Sequence, residues 1–243
     1  TVDLDIIRQN YRIICKAAQV PVLAVVKANA YGHSVCDLAP LLDNAGADSF
    51  AVSNIEEAVQ LREIGITKPI LILSYTPVDL VDVIFRHNIS QCVYCSDYAA
   101  ALSEAAVKKG ICIKVHIKLD TGMSRIGFDC RSGSLCGIED AICAATLPGF
   151  EIEGIFTHFA YSDRTPEGDD GFTNEQFSKF IAATKRFEAN GIHPPIYHCC
   201  NSAACLLDRD KHLQYTRPGI ILYGLTPNSD LELGGTLIPV MTL

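Results

Sequence analysis

Eight short apolar runs, each separated from the next by a helix-like stretch, restrict this chain more than any other feature. The runs fall at Val22 to Val26, 50–52, 70–73 (ILIL), 91–94 (QCVY), 112–119 (CIKVHIKL), 150–157 (FEIEGIFT), 195–198 (PIYH) and a short one ending at Arg217. Several are continuously apolar rather than alternating. That pattern suits strands covered on both faces, as parallel strands are when helices flank the sheet. The segments between carry helix signals. Leu4, Ile7, Tyr11, Ile14 and Ala18 make one apolar face at the start of the chain. A helix is predicted over 35–46, and another from Ser53, with Glu56 three residues on as a capping box, to a stop at Gly65. Thr76-Pro77 starts a further helix toward Arg86, and the spacing predicts three more over 97–109, 135–146 and 174–190.

Eight β-α units in this length point to the α/β class and a closed TIM (β/α)8 barrel. The competing fold, a doubly wound open sheet, would carry a Gly-rich first turn, and the turn after the first run is LAVVKANAYGHS. With 243 residues, 49% of them apolar, the chain can fill a barrel of this size. The rhythm fails near the end, where NSDLELGG is polar and TLIPVMTL begins a strand-like run. The expected organisation is a barrel over residues 1–230, then a linker and the start of a C-terminal β domain over 231–243. A frayed tail is the plainer alternative. The first residue is Thr1, which leaves room for an upstream segment.

Composition removes several function classes. The net charge is −8 and no basic block occurs, which argues against a nucleic-acid surface. No apolar run approaches the ~18–20 residues of a membrane span, and no basic leader precedes an apolar one. A cytoplasmic protein without membrane contact from this domain is the expectation. Eleven cysteines have no framework spacing, and they read as small buried hydrophobes in a reducing compartment. The one C-x-x-C, Cys92 to Cys95, lies in a strand where residues three apart face opposite ways, so no metal site is expected.

The barrel reading sorts the polar residues. Lys27, Lys118 with Asp120, His158, Asn201 with Ser202, and Arg217 all fall at or just past the C-terminal ends of different strands. Barrels of this type build their sites on that rim. A lysine entering a partly dry mouth is the arrangement for a Schiff base, since burial and nearby cations favour the neutral, nucleophilic amine. NSAA (201–204) and RPGI (217–220) follow the seventh and eighth strands, where such barrels hold phosphate: Ser202 offers a hydroxyl, Pro218 can open a helical turn, and Gly219 allows close backbone approach. A lysine opposite a phosphate cradle points to pyridoxal 5'-phosphate.

The motifs VVKANAYGH (25–33), KLDTGMSRIGF (118–128), GIFTHFAYSD (154–163), HCCNSAA (198–204) and RPGIILYG (217–224) together resemble the alanine racemase family, in that family's order. Ser34 and Ser124 stand where glycine is more usual. The resemblance implies a racemase that interconverts L- and D-alanine by a two-base mechanism and supplies D-alanine for peptidoglycan. Lys27 would carry the cofactor and serve as one base, and Tyr31 would help position it. Arg125 would hold the ring hydroxyl near the substrate carboxylate, braced by Lys118, which is often carbamylated in the family. His158 would pack by the ring and orient Arg217, which would bond the pyridine nitrogen, while Ser202, Gly219 and Ile220, with Asn201 beside them, would bind the phosphate. A guanidinium keeps its proton, so the nitrogen opposite it stays unprotonated and the ring is a weaker electron sink. Proton return to Cα then competes well with transamination. The family's second base is a tyrosine from the partner subunit's C-terminal domain, and no stretch here matches it. The resemblance therefore implies a homodimer for the full-length protein and a barrel that lacks its second base.

Other readings remain open. Lys118 could simply pair with Asp120, and Tyr31 could be rim packing. His116, His193 and His198 read as structural, and the acidic loop YSDRTPEGDDG (161–171) as a solvated loop or a flap. A serine racemase of the vancomycin-resistance type would share this half of the molecule. A non-catalytic pyridoxal-phosphate-binding protein of cofactor homeostasis is the alternative of another class.

Overall fold

The computed structural model describes residues 1–163, 170–226 and 236–242. Parallel strands β1 (Leu23–Val25), β2 (Ser49–Val52), β3 (Ile70–Ile72), β4 (Ser90–Val93), β5 (Ile113–Asp120), β7 (Phe150–Phe156) and β8 (Ile196–His198) pair in that order. A two-residue strand, β6 (Phe128–Asp129), branches from β5. Two single bridges complete the ring: Tyr215 pairs parallel with His198, and Thr216 with Val22. The predicted eighth strand is thus two residues long. Those two residues suffice to join the last strand to the first, and the sheet closes as a (β/α)8 barrel.

Helices cover the outside: α1 (Leu4–Ala18), α3 (Val35–Asn44), α4 (Ile55–Glu63), α5 (Val81–Arg86), α6 (Ser96–Lys109), α7 (Ile138–Ala145), α8 (Gly171–Ala189) and the short α9 (Ser202–Leu207). Their apolar stripes pack on outward-facing strand residues such as Ala24, Val52, Ile72, Val115 and Ile117. A separate small cluster, Leu23, Val25, Ala51 and Leu71, fills one side of the barrel interior.

Local signals differ from expectation at three places. The box that opens α4 is Asn54 with Glu57, not Ser53 with Glu56: Asn54 accepts from the Glu57 amide at 2.9 Å, and Glu57 accepts from the Ser53 amide at 2.7 Å. Thr76 does not cap a helix. It is buried, its hydroxyl donates to Gln91 at 2.7 Å, and Pro77 precedes a 3-10 turn that leads into α5. Residues 27–32, between the first predicted strand and the next predicted helix, form the helical segment α2 (Lys27–Gly32), in which Ala28 to Tyr31 are left-handed.

The run 236–242 returns to the barrel. Asp3 donates its amide to Val240 at 2.9 Å, Met241 bridges antiparallel to Val2, and Asn10 both donates to and accepts from the Ile238 backbone. Leu237 and Val240 are buried there. Gly224 is required at this contact, because a Cβ on it would lie 1.9 Å from the Ile238 oxygen. The predicted linker NSDLELGG, the 230/231 domain boundary and most of the acidic loop lie outside the described residues.

Candidate active site

Strand alternation places Leu23, Val25 and Lys27 on the inner face of β1 and its exit, and the same period sends Lys118, His158 and Arg217 inward. They meet in a cavity of about 680 Å3 at the C-terminal mouth of the barrel. Ten of the residues singled out from the sequence line it: Lys27, Tyr31, Lys118, Arg125, His158, Asn201, Ser202, Arg217, Gly219 and Ile220; Asp120 and Pro218 do not. Among the described lining residues Lys27, Lys118, Arg125 and Arg217 face a single carboxylate, Asp163, in a chain whose net charge is −8. A basic cleft in an acidic protein attracts an anionic ligand.

Lys27 is half-buried, with its amine 5.8 Å from the centre of the Tyr31 ring. The four residues after it, Ala28 to Tyr31, have φ between 52 and 55°. Each non-glycine residue so placed costs ~1–2 kcal/mol, so the turn is held by its surroundings. Glu57 of α4 accepts from the Ala28 amide at 2.7 Å, the Asn29 side chain accepts from the Val35 amide at 2.8 Å, and His33 stacks on Tyr223. Tyr31 also packs on Tyr223, and burial raises its phenol above the ordinary range.

Arg217 forms the floor. Its guanidinium is buried and donates to His198 Nδ1 at 2.8 Å, to the Thr157 and Cys199 carbonyls at 2.8 and 2.9 Å, and to His158 Nδ1 at 3.3 Å. Burial lowers it to about 10, which still leaves it charged at neutral pH. Burial, reinforced by Arg217, holds His158 and His198 well below the usual imidazole range, so both stay neutral acceptors. Lys118, 3% exposed, lies over the Phe156 ring at 5.0 Å. Burial is the main cause of its fall to about 8, and Arg217 and Arg125 add to it. The driest lysine of the site is therefore Lys118 rather than Lys27.

The opposite end is built from small groups. Gly219 donates its amide to the Ser202 hydroxyl at 2.8 Å, and a Cβ on Gly219 would sit 2.7 Å from the Tyr31 oxygen. Asn201 lines the cavity, yet its side chain is engaged: it accepts from Ala204 at the start of α9 and from Ser162, and donates to Phe159. Arg125 stands exposed at the rim. Of the three histidines read as structural, His193 stays outside the cavity lining, whereas His198 touches Arg217 directly and His116 touches His198. Glu57 also escaped sequence reasoning. Its signal was the acidic residue in the first turn of α4, which reads equally well as an ordinary cap.

A closed parallel barrel with a lysine at the exit of β1 and a buried arginine at the closing strand defines a β/α-barrel protein with a basic ligand cavity at its mouth. Comparison with known proteins makes the assignment specific. Residues 2–227 match the family model described as alanine racemase, N-terminal domain. An alanine racemase of Clostridium perfringens (strain ATCC 13124) is 43% identical over 244 residues, covering all of this chain and 62% of its own length. The solved alanine racemase of Clostridium difficile 630 in complex with cycloserine superposes with a TM-score of 0.90 at 33% identity, over 98% of this chain and 65% of that one. The histidine racemase from Leuconostoc mesenteroides subsp. sake superposes with a TM-score of 0.86 at 26% identity, over 98% of this chain and 63% of that one. The chain belongs to the alanine racemase family and contains that family's N-terminal domain. It spans about 62% of the length of the curated relative it matches.

Proposed function

We propose that this chain is the cofactor-binding barrel of a pyridoxal-phosphate-dependent alanine racemase, residues 1–230 forming the barrel and the segment from 231 leading into a second domain. The observation that supports this best is the convergence of Lys27, Arg217 and the Ser202–Gly219 pair on one basic cavity of about 680 Å3. The residues fit the cofactor. An amine stands at one side for its aldehyde, and a guanidinium on the floor can face its ring nitrogen. The missing Cβ of Gly219 leaves a concavity beside a hydroxyl for its phosphate. When bound, pyridoxal phosphate supplies the electron sink that makes the substrate's Cα proton removable.

The protein's own groups then divide the work. Lys27 Nζ anchors the cofactor and holds or returns a proton on one face of Cα. Arg217 spends its NH2 hydrogens on Thr157, Cys199 and His158 and one NH1 hydrogen on His198. Among the described residues this leaves Nε–H and the second NH1 hydrogen for a ligand. A permanent cation there would leave the ring nitrogen of a bound cofactor unprotonated, and Arg217 would in that way favour proton return to Cα. Arg125, exposed at the rim, suits a substrate carboxylate or the ring hydroxyl. Lys118 in carbamylated form would brace it, and its lowered amine is the form that reacts with carbon dioxide. A second base on the opposite face completes racemisation, and in the full-length homodimer we assign it to the second domain of the partner. The product, D-alanine, serves peptidoglycan in a cytoplasmic pathway. Among the described residues no helix is long and apolar enough to cross a membrane.

Reductive trapping tests the core of this reading. Pyridoxal phosphate followed by borohydride is expected to label the peptide containing Lys27 and to leave Lys27→Ala unlabelled. Label on another lysine would overturn the assignment. Polarimetry with alanine, serine and histidine as substrates then decides the side chain accepted; a clear preference for serine or histidine would replace alanine in the reading.

A further inference from the structure

The floor of the cavity does not end at Arg217. A guanidinium can only donate, so His198 Nδ1, 2.8 Å from it, must be a lone-pair acceptor. A neutral imidazole then carries its one hydrogen on Nε2, which lies 3.0 Å from His116 Nδ1. That nitrogen must accept in turn, and the His116 hydrogen sits on Nε2, 3.2 Å from the Glu153 carboxylate. Ser90 also donates to this carboxylate, and the Lys114 ammonium stands 3.6 Å away. A donor-only group at the cavity and an acceptor-only carboxylate near the opposite end of the barrel thus fix both tautomers between them. The same logic excludes an imidazolium on His116 paired with Glu153, because Nδ1 has to keep its lone pair.

The sheet is built irregularly to seat this line. Between β5 and β7 the register slips: Val115 pairs with Ile152 but His116 with Gly154, which leaves Glu153 as a bulge residue. A bulge re-aims a side chain, here into the barrel. Gly154 makes the room, since a Cβ on it would lie 2.4 Å from His116 Nδ1. His198 stacks on Phe156 with centroids 4.8 Å apart and planes within 6°. Such interiors are ordinarily filled with branched apolar residues, and buried polar groups cost free energy unless fully partnered. Two buried histidines, an inward carboxylate, a bulge and a glycine are a costly way to fill space.

We propose that Glu153 and His116 are positioning residues for Arg217: from the far end of the barrel they lock His198 as an acceptor and so hold the guanidinium in the plane that meets the ligand. The role toward the cofactor rests on the pyridoxal-phosphate reading above; the tautomer lock does not. If Glu153 loses its acceptor oxygens, His116 is free to carry its hydrogen on Nδ1. That hydrogen then meets the one on His198 Nε2, and the His198 ring has to change tautomer or turn, which removes the acceptor of Arg217 NH1 and leaves the guanidinium held, among the described residues, through NH2 alone.

The test uses the full-length protein, labelled in histidine with 15N and 13C, without and then with pyridoxal phosphate. In the cofactor-free wild type, NMR is expected to show His198 and His116 protonated on Nε2 alone. Glu153→Leu should populate a second tautomer and weaken pyridoxal phosphate binding about tenfold, with a shifted absorbance of the bound cofactor. Glu153→Gln, which keeps an amide oxygen in place, should restore both readouts; a purely structural role would lower stability in both variants and leave the tautomers alone. If Glu153→Leu does not fold, Gly154→Ala, which displaces His116, gives the same readouts. Nδ1 protonation of His198 in the wild type overturns the proposal, as do unchanged tautomers and affinity in the variants. A wild type that binds no pyridoxal phosphate refutes the functional reading instead, while the tautomer arm still judges the lock.

Discussion

Replacing Lys118 with methionine should make the cofactor-free protein more stable, by an amount that fades as pH rises. The Lys118 ammonium is 3% exposed, and burial with two neighbouring guanidinium groups brings it from 10.5 to about 8. At ~1.36 kcal/mol per tenfold change, the charged native form carries a penalty of about 3 kcal/mol. Below pH 8 the folded and unfolded chains both hold this proton, and the penalty is present in full. Between about 8 and 10.5 the native state has released it and the unfolded state has not, so the unfolded chain binds more protons and stability rises with pH. Methionine has nearly the same length and no charge to desolvate. Lys118→Met should therefore lead the wild type by up to about 3 kcal/mol near neutral pH and lose that lead toward pH 10.5. Buried thiols such as Cys130 and Cys205, pushed up to about 12, lower stability over the same range, but Lys118 does not act on them, so they do so in both proteins and cancel in the difference. Urea unfolding from pH 6.5 to 10, free of bicarbonate so that the amine stays unmodified, measures that difference. A gap that does not change with pH, or a methionine variant that is less stable throughout, would refute the reasoning.

Glu57→Ala removes the acceptor shared by Ala28 and Ser53, and about 2 kcal/mol of stability with it. Because the left-handed turn beside Lys27 loosens, pyridoxal phosphate affinity by absorbance titration should fall as well; an unchanged affinity would show that the turn holds itself. Gly219→Ala places a methyl 2.7 Å from the Tyr31 hydroxyl, so cofactor binding should weaken and Tyr31→Phe should partly restore it in the double variant. Residues 1–243 expressed alone should bind pyridoxal phosphate yet racemise alanine far more slowly than the full-length protein, and comparable turnover in a coupled D-amino-acid oxidase assay would place both bases in this chain. Mass spectrometry in bicarbonate should find carbamate on Lys118 and none on Lys118→Met.

The sequence carried the barrel because its evidence is local. Each strand announces itself as an apolar run, each helix as a periodic face, and the alternation of the two leaves few architectures. The rim residues were legible for the same reason, since the C-terminal end of a strand can be read from the strand itself. Lys27, Lys118, His158 and Arg217 each stand where a predicted run stops, and all of them line the cavity. Their assembly into one basic pocket needed the ring to close, and closure depends on two residues, Tyr215 and Thr216, that hardly register as a strand.

What escaped the sequence is what depends on contact between distant segments. Ala28 to Tyr31 have no glycine to signal positive φ; the contacts that brace their left-handed turn include Glu57, twenty-nine residues from Ala28. His116 and His198 look alike as core histidines until Arg217, which can only donate, fixes which nitrogen of each is protonated. Glu153 reads as an outward strand residue until a register slip turns it inward. By itself the sequence determined the fold, the family and the set of polar groups at the mouth, because periodicity and strand ends are properties of neighbours in the chain. Tertiary structure alone decided which lysine is driest, how Arg217 is held and where the line of hydrogen bonds ends, because burial and donor–acceptor pairing exist only once the strands are packed.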